Sequence, residues 1–61
     1  MPIVQIQLLE GRSVEQKKKI IQEVTTTIVQ TARVPIDSVR VILIEVPPVH
    51  WGISGKTKAE P

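Results

Sequence analysis

Apolar residues recur along this chain with two different periods, and the change of period marks its elements. In Ile3-Val4-Gln5-Ile6-Gln7-Leu8-Leu9 they alternate, imperfectly, so that Val4, Ile6 and Leu8 point to one face and Ile3, Gln5, Gln7 and Leu9 to the other. This pattern predicts a strand. Glu10-Gly11-Arg12 then turns the chain, and Ser13-Val14-Glu15-Gln16 has the form of a capping box, with the Ser13 side chain accepting from the Gln16 amide and the Gln16 side chain reaching back. Beyond it Val14, Ile21, Val24, Ile28 and Ala32 recur at helical spacing, flanked by Ile20 and Val29, with Lys18, Lys19, Gln22, Thr26 and Arg33 opposite. The predicted helix runs for about 19 residues, or about 28 Å. Pro35 disfavours helical geometry at Val34 and ends it. The run Thr25-Thr26-Thr27 has weak helix propensity, about 0.5 kcal/mol per residue below Ala, so tertiary packing must hold that segment helical.

Pro35-Ile36-Asp37-Ser38 reads as a turn into Val39-Arg40-Val41-Ile42-Leu43-Ile44-Glu45-Val46, a β-branched run that is apolar on both faces, as expected of a strand covered on both sides. Pro47-Pro48 stops it. In the tail, Gly52 and Gly55 are spaced for a small hairpin or loop, and Lys56, Lys58 and Glu60 fall in an end expected to be mobile. A strand, a long helix and a second strand with short links make a βαβ unit, with parallel strands and a right-handed crossover. The predicted class is therefore α/β, one domain over residues 1–61: two parallel strands, one long helix and a short C-terminal hairpin. One helix covers one face of the sheet. The other, with Ile42, Ile44 and Val46, needs a partner, as do the strand edges, and other copies of the chain are the expected cover.

Composition sharpens that expectation. A chain of 61 residues buries only about 60% of the surface its unfolded form exposes, and the usual remedies are disulfides, a metal or oligomerisation. Cysteine is absent and a lone His50 is too few for a metal site, which leaves oligomerisation. The net charge is +2, and the basic residues are scattered apart from Lys17-Lys18-Lys19, which reads as a solvated helix face. Without interleaved aromatics this argues against nucleic acid as a partner. No apolar run is long enough for a membrane span and no secretory leader is evident, so the cytoplasm is the expected compartment.

Four residues could share one chemistry. Pro2 stands directly ahead of the first strand, where it can simply start the strand without needing its missing N–H. Small residues after an initiator Met permit its removal, however, and Pro2 would then be a free secondary amine, a base at the rigid end of a strand. Arg40 lies on the strand face that continues as Ile42, Ile44 and Val46, where a cation needs a partner or a ligand unless it snorkels to water. Parallel strands make Arg40 and Pro2 neighbours. Arg12 follows the far end of the first strand, about 23 Å from Pro2, so it reaches a Pro2 only if two chains pair antiparallel. Otherwise it is an exposed turn residue. Trp51, the only aromatic side chain, can cap a small core or wall a pocket. His50 has no Ser, Cys or Asp in a recognisable relation to it and reads as exposed or structural. No P-loop, paired-carboxylate or metal-ligand pattern is present.

As a set these residues resemble the 4-oxalocrotonate tautomerase family. Pro2-Ile3 after Met1, Leu9-Glu10-Gly11-Arg12-Ser13, Glu15-Gln16-Lys17, Ser38-Val39-Arg40-Val41-Ile42 and His50-Trp51-Gly52-Ile53 follow the family's order and spacing over nearly the whole chain. The resemblance implies Pro2 as general base, Arg40 as a catalytic partner and Arg12 as a substrate-binding one, with Trp51 where the family more often has Phe, and with Leu9 and Ser38 among the substrate-binding residues. It further implies an unsaturated oxo-dicarboxylate as substrate, no cofactor or metal, and a homohexamer built as a trimer of dimers with shared sites. Pro47-Pro48 and a short tail without the late arginine of some members are departures that bear on substrate identity. Competing readings are a keto-enol acid tautomerase acting on phenylenolpyruvate or the like, and a non-catalytic oligomeric binding module. A dehalogenase or hydratase would need a carboxylate to activate water, and none lies between Val46 and Thr57.

Overall fold

Strand β1 (Ile3–Leu9) and strand β2 (Arg40–Val46) lie side by side and parallel, in register from Ile3 opposite Arg40 to Leu9 opposite Val46. The coordinates are a computed structural model that describes residues 1–61. Helix α1 (Val14–Ala32) connects the two strands across one face of the sheet. The capping box forms as the sequence dictates: Ser13 Oγ accepts from the Gln16 amide and Gln16 Oε1 accepts from the Ser13 amide, each at 3.1 Å. Two otherwise orphaned donors at the helix start are thereby satisfied. At the other end the stop comes before the restriction imposed by Pro35 is needed. Arg33 adopts a left-handed conformation, φ 57 and ψ 55, while its amide still bonds the Val29 carbonyl at 3.0 Å.

Strand alternation sets the layers. Val4, Ile6 and Leu8 are shielded while Ile3, Gln5 and Gln7 are exposed, and Val41 and Leu43 of β2 continue the shielded side opposite Val4 and Ile6. Only Leu8 and Val39 are buried, and neither completely. Along α1 the half-buried apolar positions are Ile20, Val24, Ile28 and Val29, whereas Val14, Ile21 and Ala32 are exposed. The predicted stripe is therefore wider than the surface available to it. Two strands about 4.8 Å apart make a sheet no wider than the helix itself, so the flanks of the stripe overhang. One charged pair spans the layers: Glu45, opposite Leu8, meets Lys17 of α1 at 3.2 Å. Glu45, the one acidic residue of β2, is exposed and its charge is matched by Lys17.

The remaining face of the sheet is uncovered, with Ile3 62%, Ile42 43% and Ile44 37% exposed. The chain has an accessible surface of 4863 Å², against about 4000 Å² for a compact monomer of its mass. Its radius of gyration, 14.6 Å, exceeds the roughly 10.5 Å expected for its length. Both excesses come from elements that lie in thin layers and do not close on themselves.

After β2, Pro47 and Pro48 stop the strand and start a single 3-10 turn, Pro48–His50, in which the Trp51 amide bonds the Pro48 carbonyl at 3.2 Å. A two-stranded antiparallel ribbon follows, β3 (Gly52–Ile53) and β4 (Lys56–Thr57), joined by Ser54 and Gly55. Positive φ at both linking residues, 54 and 82, is the type I′ turn that suits strand twist. The tail is tied down further than expected, because Glu60 Oε2 accepts from the Thr57 amide at 2.7 Å and the Glu60 amide donates to the Thr57 carbonyl at 3.2 Å. No helix is long and apolar enough to cross a membrane.

Candidate active site

The parallel register decides which candidate residues meet. Pro2 immediately precedes β1, Arg40 opens β2, and the Arg40 amide donates to the Pro2 carbonyl at 3.0 Å. The link from α1 to β2 holds the Arg40 side chain at this end. Ile36–Ser38 forms a single 3-10 turn after Pro35, and Arg40 Nη1 donates to the carbonyls of Asp37 at 2.7 Å and Val39 at 3.3 Å. The guanidinium is exposed in the single chain and keeps further N–H groups for a ligand. Ser38 lies in the same turn, and its hydroxyl donates to the Pro35 carbonyl at 2.7 Å. That bond stabilises the turn beneath Arg40. Met1, 83% exposed, contributes no packing whose loss would disturb Pro2.

At the opposite end of the sheet Leu9 closes β1, Arg12 follows it, and Trp51 follows the end of β2 by way of the Pro48–His50 turn. The Glu10 amide bonds the Val46 carbonyl at 3.1 Å, which extends the strand pairing one residue past Leu9. Gly11, at φ 122, then makes a bend that a side chain would strain. It sets Arg12 just ahead of the helix cap. Val46 leads through the proline turn to the half-buried Trp51, and His50 beside it is exposed. Arg12 also lines an open groove of about 470 Å³ along the flank of α1, with Gln16, Lys19, Ile20, Glu23 and Val24. None of Pro2, Arg40 and Trp51 borders that groove, so it is not where the candidate chemistry converges.

One chain therefore carries the candidate residues in two separate groups. Pro2 with Arg40, and Arg12 with Leu9 and Trp51, are separated by the length of β1, about 23 Å from Pro2 to Leu9. Two contributions escaped sequence reasoning. The carbonyls of Asp37 and Val39 support Arg40, and a short polar turn ahead of the strand was the only sign of it. Lys58 pairs with Trp51 through the bond from its amide to the Trp51 carbonyl, 2.8 Å. The spacing around Ser54-Gly55 could have revealed that register.

Known proteins resemble this chain in sequence and in backbone. A family model described as tautomerase enzyme matches residues 2–60. A 2-hydroxymuconate tautomerase of Stutzerimonas stutzeri is 53% identical over 57 residues, 93% of this chain and 90% of the relative. Among solved structures, a 4-oxalocrotonate tautomerase isozyme from Methylibium petroleiphilum superposes with a TM-score of 0.91 at 41% identity, covering 95% of this chain and 91% of that one. A heterohexamer 4-oxalocrotonate tautomerase from Chloroflexus aurantiacus J-10-fl superposes with a TM-score of 0.93 at 40% identity, covering 98% and 97%. With the βαβ architecture and the parallel register, this similarity over almost the whole chain settles its membership: the chain belongs to the tautomerase family of isomerases.

Proposed function

We propose that the chain isomerises an unsaturated 2-hydroxy dicarboxylate, 2-hydroxymuconate or a close analogue, to its 2-oxo form. After loss of Met1 the Pro2 amine is the general base. It takes the proton of the 2-hydroxyl, the oxygen–carbon bond becomes a carbonyl, electron density moves along the diene, and the same proton returns to a distant carbon. One amine serves both transfers. Negative charge builds on the oxygen at position 2, where the Arg40 guanidinium stabilises it, while Arg12 from another chain holds the remote carboxylate by a bidentate contact. Trp51 walls the site, Leu9 lies beside it, and Ser38 contributes at the Arg40 end. Neither a metal nor an organic cofactor enters this sequence of steps.

The observation that supports the reading is the bond from the Arg40 amide to the Pro2 carbonyl, 3.0 Å, which holds the backbones of these two residues side by side. The separation of Arg12 and Trp51 from them requires at least two chains per site. Antiparallel pairing of two copies brings one chain's Arg12 end to the other's Pro2 end, and the uncovered Ile3, Ile42 and Ile44 supply an apolar face for further copies. A homohexamer, as a trimer of dimers, satisfies both demands, and the hexameric relative from Chloroflexus supports it. A cytoplasmic enzyme of aromatic-compound breakdown is the setting this substrate class suggests.

Trp51 favours one second reading, a keto-enol acid with an aromatic ring such as phenylenolpyruvate, because the indole offers that ring a stacking partner. Comparing kcat/KM for 2-hydroxymuconate and phenylenolpyruvate tests the assignment. A preference for the dicarboxylate that disappears in Arg12→Ala supports the first reading. A preference for phenylenolpyruvate that is indifferent to Arg12 refutes it.

A further inference from the structure

The C-terminal ribbon presents a face that the site described so far does not use. Gly52 is opposite Thr57 and Ile53 opposite Lys56, and the 2.8 Å bond from the Lys58 amide to the Trp51 carbonyl extends the register to Trp51 opposite Lys58. Directly opposed residues of an antiparallel pair project to the same side, and alternate residues along each strand share that side. Trp51, Ile53, Lys56 and Lys58 therefore share one face of the ribbon, and Gly52 and Thr57 the other. Cβ atoms of opposed residues lie about 4.5–5.5 Å apart, a separation that a lysine stem can span to reach the face of an indole ring in a cation–π arrangement.

Charge accounting leaves Lys58 available. The chain's two ion pairs are Lys17 with Glu45 and Lys19 with Glu23, so Lys58 belongs to neither. Glu60, the carboxylate closest in sequence, is engaged by the Thr57 amide. Trp51 follows the end of β2 just as Arg12 follows the adjacent end of β1.

We propose that Lys58 is a specificity-determining residue: its ammonium, carried beside the Trp51 ring, recognises the remote carboxylate of a dicarboxylate ligand together with Arg12. The proposal rests on Trp51 walling the site as described above. Lys58 selects for the second carboxylate by charge, whereas the ring accepts any planar unsaturated chain. Lys56, opposite Ile53 and about 7 Å further along the ribbon, is a charge-matched neighbour without that placement.

The absence of Tyr and Phe makes Trp51 the sole fluorophore, so its emission reports ligands at this place directly. The assembled enzyme is titrated with muconate and with sorbate, six-carbon dienes that differ by one carboxylate and carry no enol to isomerise. Lys58→Gln is expected to weaken muconate two- to fivefold, the scale of an exposed ion pair, and to leave sorbate unchanged. Lys58→Arg and Lys56→Gln keep the wild-type preference, and the preference shrinks in high salt. Equal effects of Lys58→Gln on both ligands, no effect on either, or a wild-type enzyme that binds neither would overturn the proposal. Turnover of 2-hydroxymuconate is measured separately. Discrimination against sorbate without turnover leaves Lys58 as the selector and removes the catalytic reading, while turnover with an indifferent Lys58→Gln does the reverse.

Discussion

The Arg40 amide donates to the Pro2 carbonyl at 3.0 Å, so the residue that opens β2 and the residue that precedes β1 are fastened together by the backbone itself. This bond does not depend on the Arg40 side chain. Arg40→Ala therefore keeps the register and removes only the guanidinium. If that group stabilises the developing oxyanion, kcat falls by about 2.7–4 kcal/mol, roughly 10²- to 10³-fold, with an unchanged circular dichroism spectrum. A comparable loss in KM alone would reassign Arg40 to simple binding.

Arg12 is set at the far end by the bend at Gly11, and the role proposed for it is different. A remote carboxylate is held alike in the ground and transition states, so Arg12→Ala raises KM more than it lowers kcat. Steady-state kinetics on 2-hydroxymuconate reads the split directly, and a fall confined to kcat contradicts the role.

Assembly follows from the uncovered sheet. Ile42 and Ile44, on the open face of β2, remain 43% and 37% exposed in the single chain. Sedimentation is expected to show a hexamer, and Ile44→Asp to dissociate it, because a carboxylate buried without a partner is strongly disfavoured. A stable folded monomer of the wild-type chain at micromolar concentration would refute the assembly.

The helix start offers a test of local stability. Ser13→Ala removes one half of the reciprocal cap between Ser13 and Gln16, at a cost of about 1 kcal/mol per chain. Urea midpoints measured at matched protein concentration check it, since assembly makes apparent stability concentration-dependent.

Much of this architecture was legible because local chemistry and hydrophobic period agree. Ser13 and Gln16 mark the start of α1, alternation from Ile3 to Leu9 gives β1, and Pro47 ends β2. Other details were set by context. Val39 reads as the first residue of a strand, yet it closes the 3-10 turn at Ile36–Ser38 and is one of the two buried residues. Arg33 ends α1 in a left-handed conformation that glycine more usually supplies, so no residue type announced it. Periodicity also suggested a broad buried stripe including Val14 and Ile21, and the narrow sheet leaves both exposed. For the candidate site, parallel pairing was enough to set Arg40 beside Pro2. The support of Arg40 by the Asp37 carbonyl was hidden, because a main-chain acceptor leaves no trace in side-chain identity.

The pH profile follows from the surroundings proposed for Pro2. Arg12 and Arg40 disfavour a nearby cation, and a site walled by Trp51 strips water from the charged amine, so both act to release its proton at lower pH. The free amine is the active form. Accordingly kcat/KM rises with pH as the amine is freed, and Trp51→Ala, which rehydrates the amine, moves that rise upward. A rise that stays in place in Trp51→Ala and in a variant lacking the Pro2 amine would show that another group titrates.

Everything in the mechanism requires that the Pro2 nitrogen be an amine rather than an amide. The most direct test is the intact mass of the purified protein, measured on the same sample whose turnover of 2-hydroxymuconate is assayed. The expected result is a mass short by one methionine residue, with turnover abolished when the exposed amine is acylated. Full turnover by a homogeneous sample that retains Met1 would contradict the account, because an amide nitrogen at Pro2 is not basic and can neither take the proton nor return it.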